Sequence, residues 1–320
     1  MSAWTRAVLL APREFGFQES ALPEPGPGEV RVRVRGCGIC GSDVPVWNGF
    51  LWAQYPYEPG APGHEICGYA EAGDLAAAGL APGQYVTGLS TGGYASHVLM
   101  RATEILPVPP ALADQLVIGE PMGCGVNVVE RAAIGAEDRV VVLGLGFMGS
   151  LITQLVRRRG PRALIAVARH ESSRALAEAA GATAFVALES REPVGAVWDL
   201  LGDPMASVVI ECTGKQETLD IATNLTGTRG RLVIAGYHAD GSRTVNMQLW
   251  NWKGIDVLNA HERDPRIYLA GMRQALDLWA AGAIDPGPLL THTVPLAAIN
   301  DGFRLAVDRV PGVVKVVVTP

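Results

Sequence analysis

The sequence predicts an α/β plus β protein in which a β-rich domain is contributed by both ends of the chain and a doubly wound parallel-sheet domain lies between them. Three observations carry this. The first 120 residues or so are rich in Gly and Pro and contain short alternating segments. From about residue 130, continuously apolar strands alternate with helical stretches, as in a parallel sheet covered on both faces. The final residues return to the texture of the first. With 320 residues, 48% apolar and 18% charged, the chain has the balance of a soluble protein of two domains.

Taken in order, EVRVRVRG (29–36) alternates with period two and reads as an antiparallel strand bounded by turn residues. RVVVLG, the helical FMGSLITQLVRRR, ALIAVA and the helical ESSRALAEAAGA then form two βα units, followed by SVVIEC, a helix around QETLDIATNL, and RLVIAG. In DPRIYLAGMRQALDLWAAG, Asp264 is placed as an N-cap, Pro265 at the first helical position and Gly282 at the C-terminal stop. Loops, one more helix and the strand VVKVVVTP end the chain, without internal repeats. The expected divisions are 1–125, 126–262 and 263–320, the last returning to the first domain.

The net charge of −6 and the lack of basic runs interleaved with aromatics argue against a nucleic-acid partner. The N-terminal apolar run is too short for a signal peptide, and no uncharged window of about 18 apolar residues offers a membrane span. The expected location is therefore cytoplasmic. Five cysteines, an odd number, favour reduced thiols, metal ligation or catalysis over a disulfide framework.

Gly144, Gly146 and Gly149 form GLGFMG directly after the strand VVVL and ahead of a helix. In that context the first glycine permits a tight turn, the second lets a pyrophosphate approach the backbone, and the third lets helix and strand pack closely. Phe147 and Met148 complete the turn, where the helix N-terminus offers N–H groups to phosphates. A nicotinamide dinucleotide is the expected cofactor. The acid that would hold the ribose 2′-hydroxyl of NAD at the end of the next strand is missing, since Ala168 is followed by Arg169, with Arg174 further on. A small residue and an arginine suit a 2′-phosphate, which favours NADP. The plainer alternative makes both arginines solvated and gives the acidic role to Glu171.

GCGICGSD (36–43) carries Cys37 and Cys40 at CxxC spacing, GHEICG carries His64 beside Glu65, and GEPMGCG carries Glu120. A thiolate, an imidazole and carboxylates suit zinc, with a position left open for substrate. A structural zinc knuckle needs a second close cysteine pair, and Cys67, Cys124 and Cys212 are scattered singly. A redox dithiol fits the pair after a strand but lacks the surrounding βαβ pattern.

The succession EPGPGEVRVRVRGCGICGSD, PGHE, GEP, GLGFMG and VVKVVV resembles the zinc-containing medium-chain dehydrogenases across nearly the whole chain, most closely the branch of sorbitol, threonine and aminocyclitol dehydrogenases. The resemblance implies a GroES-like catalytic domain, a Rossmann domain, an active site between them, and a homodimer or homotetramer acting on a small alcohol or ketone. It makes Cys40, His64 and Glu65 or Glu120, or both, the ligands of one catalytic zinc, while Cys37 matches no ligand position and reads as a small core residue. Asp43 matches the carboxylate that orients the histidine ligand. Ser42 matches the hydroxyl that carries the substrate proton away, and its plainer reading is a turn-capping serine.

Two further departures from the family pattern accompany the missing ribose acid. Pro45 replaces the histidine that often continues the relay, and between Pro82 and Tyr94 the sequence is only GQYVTGLSTGG, with no lobe of four cysteines for a second zinc. Trp47, Phe50, Trp52, Tyr55 and Tyr57 read either as the wall of a pocket for a bulky polyol or as core. Trp250 and Trp252 fall, by analogy, near a subunit interface and the cleft. His238 and His261 follow strand ends and read as loop histidines or as residues of the cleft. The expected activity is hydride transfer between NADP and a secondary alcohol of a polyol, cyclitol or amino alcohol. Zinc-independent reduction of an activated C=C or C=N bond, or NADPH binding without turnover, are the alternatives.

Overall fold

The structure is a computed structural model that describes residues 3–190, 192–308, 310 and 312–320. The chain runs through β1 (Ala3–Ala11), β2 (Glu14–Ala21), β3 (Glu29–Gly38), α1 (Asp43–Asn48), β4 (Glu65–Gly73), β5 (Tyr85–Leu89), β6 (His97–Arg101), β7 (Ile105–Pro107) and α2 (Gly119–Ala132). It continues through β8 (Arg139–Leu143), α3 (Phe147–Arg157), β9 (Ala163–Ala168), α4 (Arg174–Ala179), β10 (Ala184–Ala187), α5 (Pro193–Leu201), β11 (Ala206–Glu211), α6 (Gln216–Leu225) and β12 (Thr226–Ile234). After these come α7 (Met247–Lys253), β13 (Asp256–Asn259), α8 (Pro265–Ala280), β14 (His292–Pro295), α9 (Ile299–Asp308) and β15 (Val316–Thr319). Two compact units result, Met1–Gly123 with Asp264–Pro320, and Cys124–Arg263.

The first unit is a GroES-like β domain. Its sheet follows the order β14-β15-β3-β4-β5-β7, with β6 also on β3, and β1 and β2 form a separate hairpin. The alternation in β3 buries Val30, Val32 and Val34 and turns Arg31, Arg33 and Arg35 outward, where Arg33 and Arg35 lie over the rings of Tyr69 and Tyr85. The last strand returns to this sheet, with β15 antiparallel to β3 so that Val317 faces Gly38 and Val318 faces Cys37. Gly38 also faces Glu65 across β4. Behind the sheet, Trp47 stacks on Phe15 and Phe303 with ring centroids 5.5 and 4.9 Å apart, and Tyr94 meets Phe303 edge-on. Trp47 is thus core and not pocket wall; Tyr55 and Tyr57 pack against the same cluster, whereas Trp52 is exposed.

The second unit is the Rossmann domain, a six-stranded sheet in the order β10-β9-β8-β11-β12-β13, with every pairing parallel. Val140–Leu143, Leu164–Ala168 and Val208–Ile210 are buried without alternation, as a sheet covered on both faces requires. Strand order reverses around β8, the first strand, so the turn after it opens at the switch point where such sheets bind ligands. Trp250 packs against this core and its indole N–H donates to Thr223 Oγ1 at 3.0 Å, while Trp252 is exposed. In the first unit, α8 begins and ends as its caps predict: Asp264 accepts from Arg266 N–H, and Gly282 has φ of +67°.

Candidate metal centre and dinucleotide site

In the first unit, Cys40 lies in the turn after β3, His64 immediately before β4 and Glu65 at its first position. One ligand atom from each of Cys40, His64 and Glu65 lies within 4.8 Å of the other two. Asp43 opens α1 and is buried behind them, where its Oδ2 accepts from Cys40 N–H at 3.0 Å and from Tyr94 O–H at 2.6 Å. Its Oδ1 is 3.5 Å from His64 Nδ1, which also stands 2.9 Å from the Pro62 carbonyl. With acceptors on that side, Nδ1 is the donor, which leaves Nε2 as the nitrogen that would give its lone pair to a metal once the second proton is displaced.

Glu65 is fully buried and its Oε1 pairs with Lys315 Nζ at 2.5 Å. Its Oε2 has no hydrogen-bond partner among the described residues. The pair occupies the space left by Gly38, where a Cβ would lie 2.0 Å from Glu65 Oε2 and 3.0 Å from Lys315 Cε. Glu120, in the first turn of α2, stands outside the close group of three, and its Oε1 accepts from Tyr268 O–H at 2.8 Å. The start of α2 is fixed by Gly119 N–H donating to Thr87 Oγ1, which itself donates to the Ile66 carbonyl. Ser42 precedes α1 without capping it, so the plain turn-capping reading fails. Cys37 is buried in β3, as a small core residue should be.

Burial pushes the Cys40 thiol and the Asp43 and Glu120 carboxyls above their ordinary values. Burial alone would depress the His64 imidazole, but Asp43, Cys40 and Glu120 outweigh it and push it up to about 12. Burial would likewise lower Lys315, and Glu65 and Cys40 hold it up instead. Four acidic groups thus face one lysine and one histidine, and a bound cation would offset the excess that protonation otherwise relieves. Sulfur, nitrogen and oxygen donors, one of them an orphaned carboxylate oxygen, fit zinc. Sequence reasoning missed Lys315, Tyr94 and Tyr268; of these only Lys315 left a signal, as one charge inside the otherwise apolar run VVKVVV.

In the second unit the three glycines each meet a different constraint. Gly144 has φ of +100°, and a Cβ there would lie 2.4 Å from Thr213 Cγ2. A Cβ at Gly149 would lie 1.7 Å from the Gly144 carbonyl oxygen, whereas one at Gly146 would meet nothing within 4 Å. The turn is therefore closed behind and open in front, and no side chain caps α3, which begins with Phe147 and Met148. A pyrophosphate fits that opening. Next to it Glu211, fully buried, accepts from Thr213 N–H at 2.7 Å and Thr218 O–H at 3.0 Å, and lies 3.3 Å from His238 Nε2. His238, half-buried, thus stands against Glu211 while its Nδ1 accepts from Arg243 Nε–H at 2.8 Å, and His261 stacks on Tyr237.

At the end of β9, Ala168 is buried and Arg169 Nη2 lies 3.7 Å from Glu217 Oε2, both side chains being about 70% exposed. Arg174 pairs with Glu171, the acid of the plainer reading, with both side chains about half exposed. His170 Nδ1 is 2.7 Å from Glu189 Oε2, a residue that sequence reasoning passed over.

Residues 26–110 match the family profile described as alcohol dehydrogenase GroES-like domain, and residues 148–278 the one described as zinc-binding dehydrogenase. The chain is 28% identical to erythritol/L-threitol dehydrogenase of Mycolicibacterium smegmatis over 93% of its length and 92% of the relative's. It is 29% identical to sorbitol dehydrogenase of Arabidopsis thaliana, covering 95% and 91%. A zinc-binding dehydrogenase of Sinorhizobium meliloti 1021, solved bound to NADP, superposes over the full length of both chains with a TM-score of 0.85 and 28% identity. No helix among the described residues is long and apolar enough to cross a membrane. By profile, by relatives and by fold, the chain belongs to the zinc-type medium-chain alcohol dehydrogenases and is a dehydrogenase.

Proposed function

We propose that the protein transfers hydride between NADP and a secondary alcohol of a polyol, cyclitol or amino alcohol, using one zinc ion per chain. The observation that carries this is the close group of Cys40, His64 and the fully buried Glu65, with its excess of acidic side chains. Cys40, His64 and a carboxylate of Glu65 or Glu120 hold the ion. Bound there, zinc supplies Lewis-acid polarisation of the substrate oxygen. Asp43, held by Tyr94 and by Cys40 N–H, keeps the proton of His64 on Nδ1. Ser42 Oγ takes the proton from the alcohol and releases it to water, since Pro45 stands where a further imidazole would continue the path. The GLGFMG turn binds the pyrophosphate and Arg169, with Arg174, meets the 2′-phosphate; their acidic partners form exposed, solvent-screened pairs that yield to a phosphate. The relatives named for erythritol, threitol and sorbitol support the polyol class. The protein acts in the cytoplasm as a homodimer or homotetramer, which sedimentation reads directly.

The test is to measure zinc per chain by mass spectrometry in the protein and in Cys40→Ser, and to assay both with NADP against a panel of polyols, cyclitols and amino alcohols. One zinc, lost in the variant together with oxidation of a secondary alcohol, is expected. Full activity without zinc, or zinc-independent reduction of an activated C=C or C=N bond, overturns the reading.

A further inference from the structure

We propose that Glu189 is a specificity-determining residue for the dinucleotide, its carboxylate opposing the 2′-phosphate that Arg169 attracts and so limiting the preference for NADP. The acid missing from the end of β9 is delivered by the neighbouring strand. Pairing of β10 with β9 places Ala187 opposite Ala168 and continues past the strand ends, with Leu188 N–H donating to the Ala168 carbonyl at 2.9 Å and Glu189 N–H to that of Arg169 at 3.1 Å. Glu189 is thereby locked beside the residues at which a sheet of this topology reads the ribose 2′ position.

Its carboxylate is held as well. Oε1 accepts from Glu171 N–H at 2.8 Å and Oε2 meets His170 Nδ1 at 2.7 Å. These partners, the Glu171 N–H foremost, keep the carboxyl below its ordinary range, so it is charged at neutral pH. A 2′-hydroxyl can donate to such a group, whereas a 2′-phosphate carrying about −1.5 to −2 charges is repelled by it. One side chain therefore acts with opposite sign on the two cofactors. Within the Debye length of about 10 Å, one carboxylate against a dianion in water changes affinity about five- to tenfold at low salt, and less as salt rises.

The inference rests on the dinucleotide reading above, and the experiment separates the two. NADPH and NADH are titrated into the full-length protein, Glu189→Gln and Glu189→Lys, with tryptophan fluorescence as readout at low and high ionic strength. Gln keeps an acceptor for Glu171 N–H, so the turn is preserved. The ratio of NADPH to NADH affinity is expected to rise about five- to tenfold in Glu189→Gln at low salt, further in Glu189→Lys, and less at high salt. A ratio unchanged in both variants, or both affinities falling together as a merely structural cap would require, overturns the proposal. A wild-type preference for NADH with the ratio still rising overturns Arg169 as the dominant contact and upholds Glu189.

Discussion

Replacing Lys315 by Met should destabilise the metal-free protein far more than the zinc-loaded one. The Lys315 and Glu65 side chains are 7% and 1% exposed and 2.5 Å apart, and Glu65 already has one oxygen without a hydrogen-bond partner among the described residues. Met matches the lysine stem in volume, so the loss is the ammonium and not packing. Breaking a buried pair from one side costs about 3–5 kcal/mol, because the remaining charge stays desolvated. At about 2–4 °C per kcal/mol, the apo melting temperature falls on the order of 10 °C. Zinc restores a positive charge to the same cluster, so the variant should recover most of that loss when loaded. Calorimetric melts of wild type and Lys315→Met, each chelated and each zinc-saturated, measure all four states. Equal losses in the apo and loaded forms would refute the reasoning, since Lys315 would then be a packing residue with no electrostatic link to the metal centre.

Two substitutions in the glycine turn should separate folding from binding. Gly146→Ala, whose Cβ meets nothing, should leave the melting temperature within about 2–4 °C of wild type while weakening the dinucleotide several-fold in a fluorescence titration; Gly149→Ala, whose Cβ would lie 1.7 Å from a backbone oxygen, should cost about 1–3 kcal/mol in denaturant unfolding. Asp138 supplies a pH dependence. Burial alone would raise its carboxyl, but Gly135 N–H, Ser207 and Arg231 together hold it below the usual range. A group depressed in the folded state stabilises fully above its unfolded value of about 3.9, and that stability is lost as pH falls through the folded value. Asp138→Asn should therefore lower stability at pH 7 and flatten the acid limb below about pH 4, as followed by circular dichroism.

What the sequence reveals here is what lies close along the chain. The period-two alternation of VRVRVR dictates a half-buried strand, and β3 is one. GLGFMG carries its geometry in three residue types, and the caps of α8 are read from Asp264, Pro265 and Gly282. Cys40, Ser42 and Asp43 share one turn, so motif and structure coincide. The partners of these residues were not legible, because sheet register supplies them across long separations. Lys315 reaches Glu65 over 250 residues, and does so only because β15 lies against β3 beside Gly38. Trp47 read equally well as pocket or core until Phe15 and Phe303, from opposite ends of the chain, enclosed it. Glu189 escaped for the same reason: its place is set by the pairing of β10 with β9 and not by distance from the glycine turn.

The two glutamates of the metal centre are tethered differently, and this separates their roles. Glu65 is fixed on a strand, with Gly38 opposite and an ammonium on one oxygen. Glu120 is in the first turn of a helix and meets the neutral hydroxyl of Tyr268. The bond from Tyr268 to Glu120 carries one charge, whereas the pair of Glu65 with Lys315 carries two and is buried, so detaching Glu65 leaves a desolvated ammonium. Turning Glu120 toward a cation therefore costs less than detaching Glu65 from Lys315. Glu120→Gln should lower zinc affinity, on the order of tenfold or more, with little change in the melting temperature of the apo protein. Glu65→Gln should do the reverse, destabilising the apo form by about 3–5 kcal/mol because it removes the anionic charge that Lys315 Nζ meets at 2.5 Å. Competition with a chromophoric chelator reads the affinity and calorimetry reads the stability. If Glu65→Gln loses zinc while its apo form melts as wild type does, Glu65 is the ligand and Lys315 is no more than its neighbour.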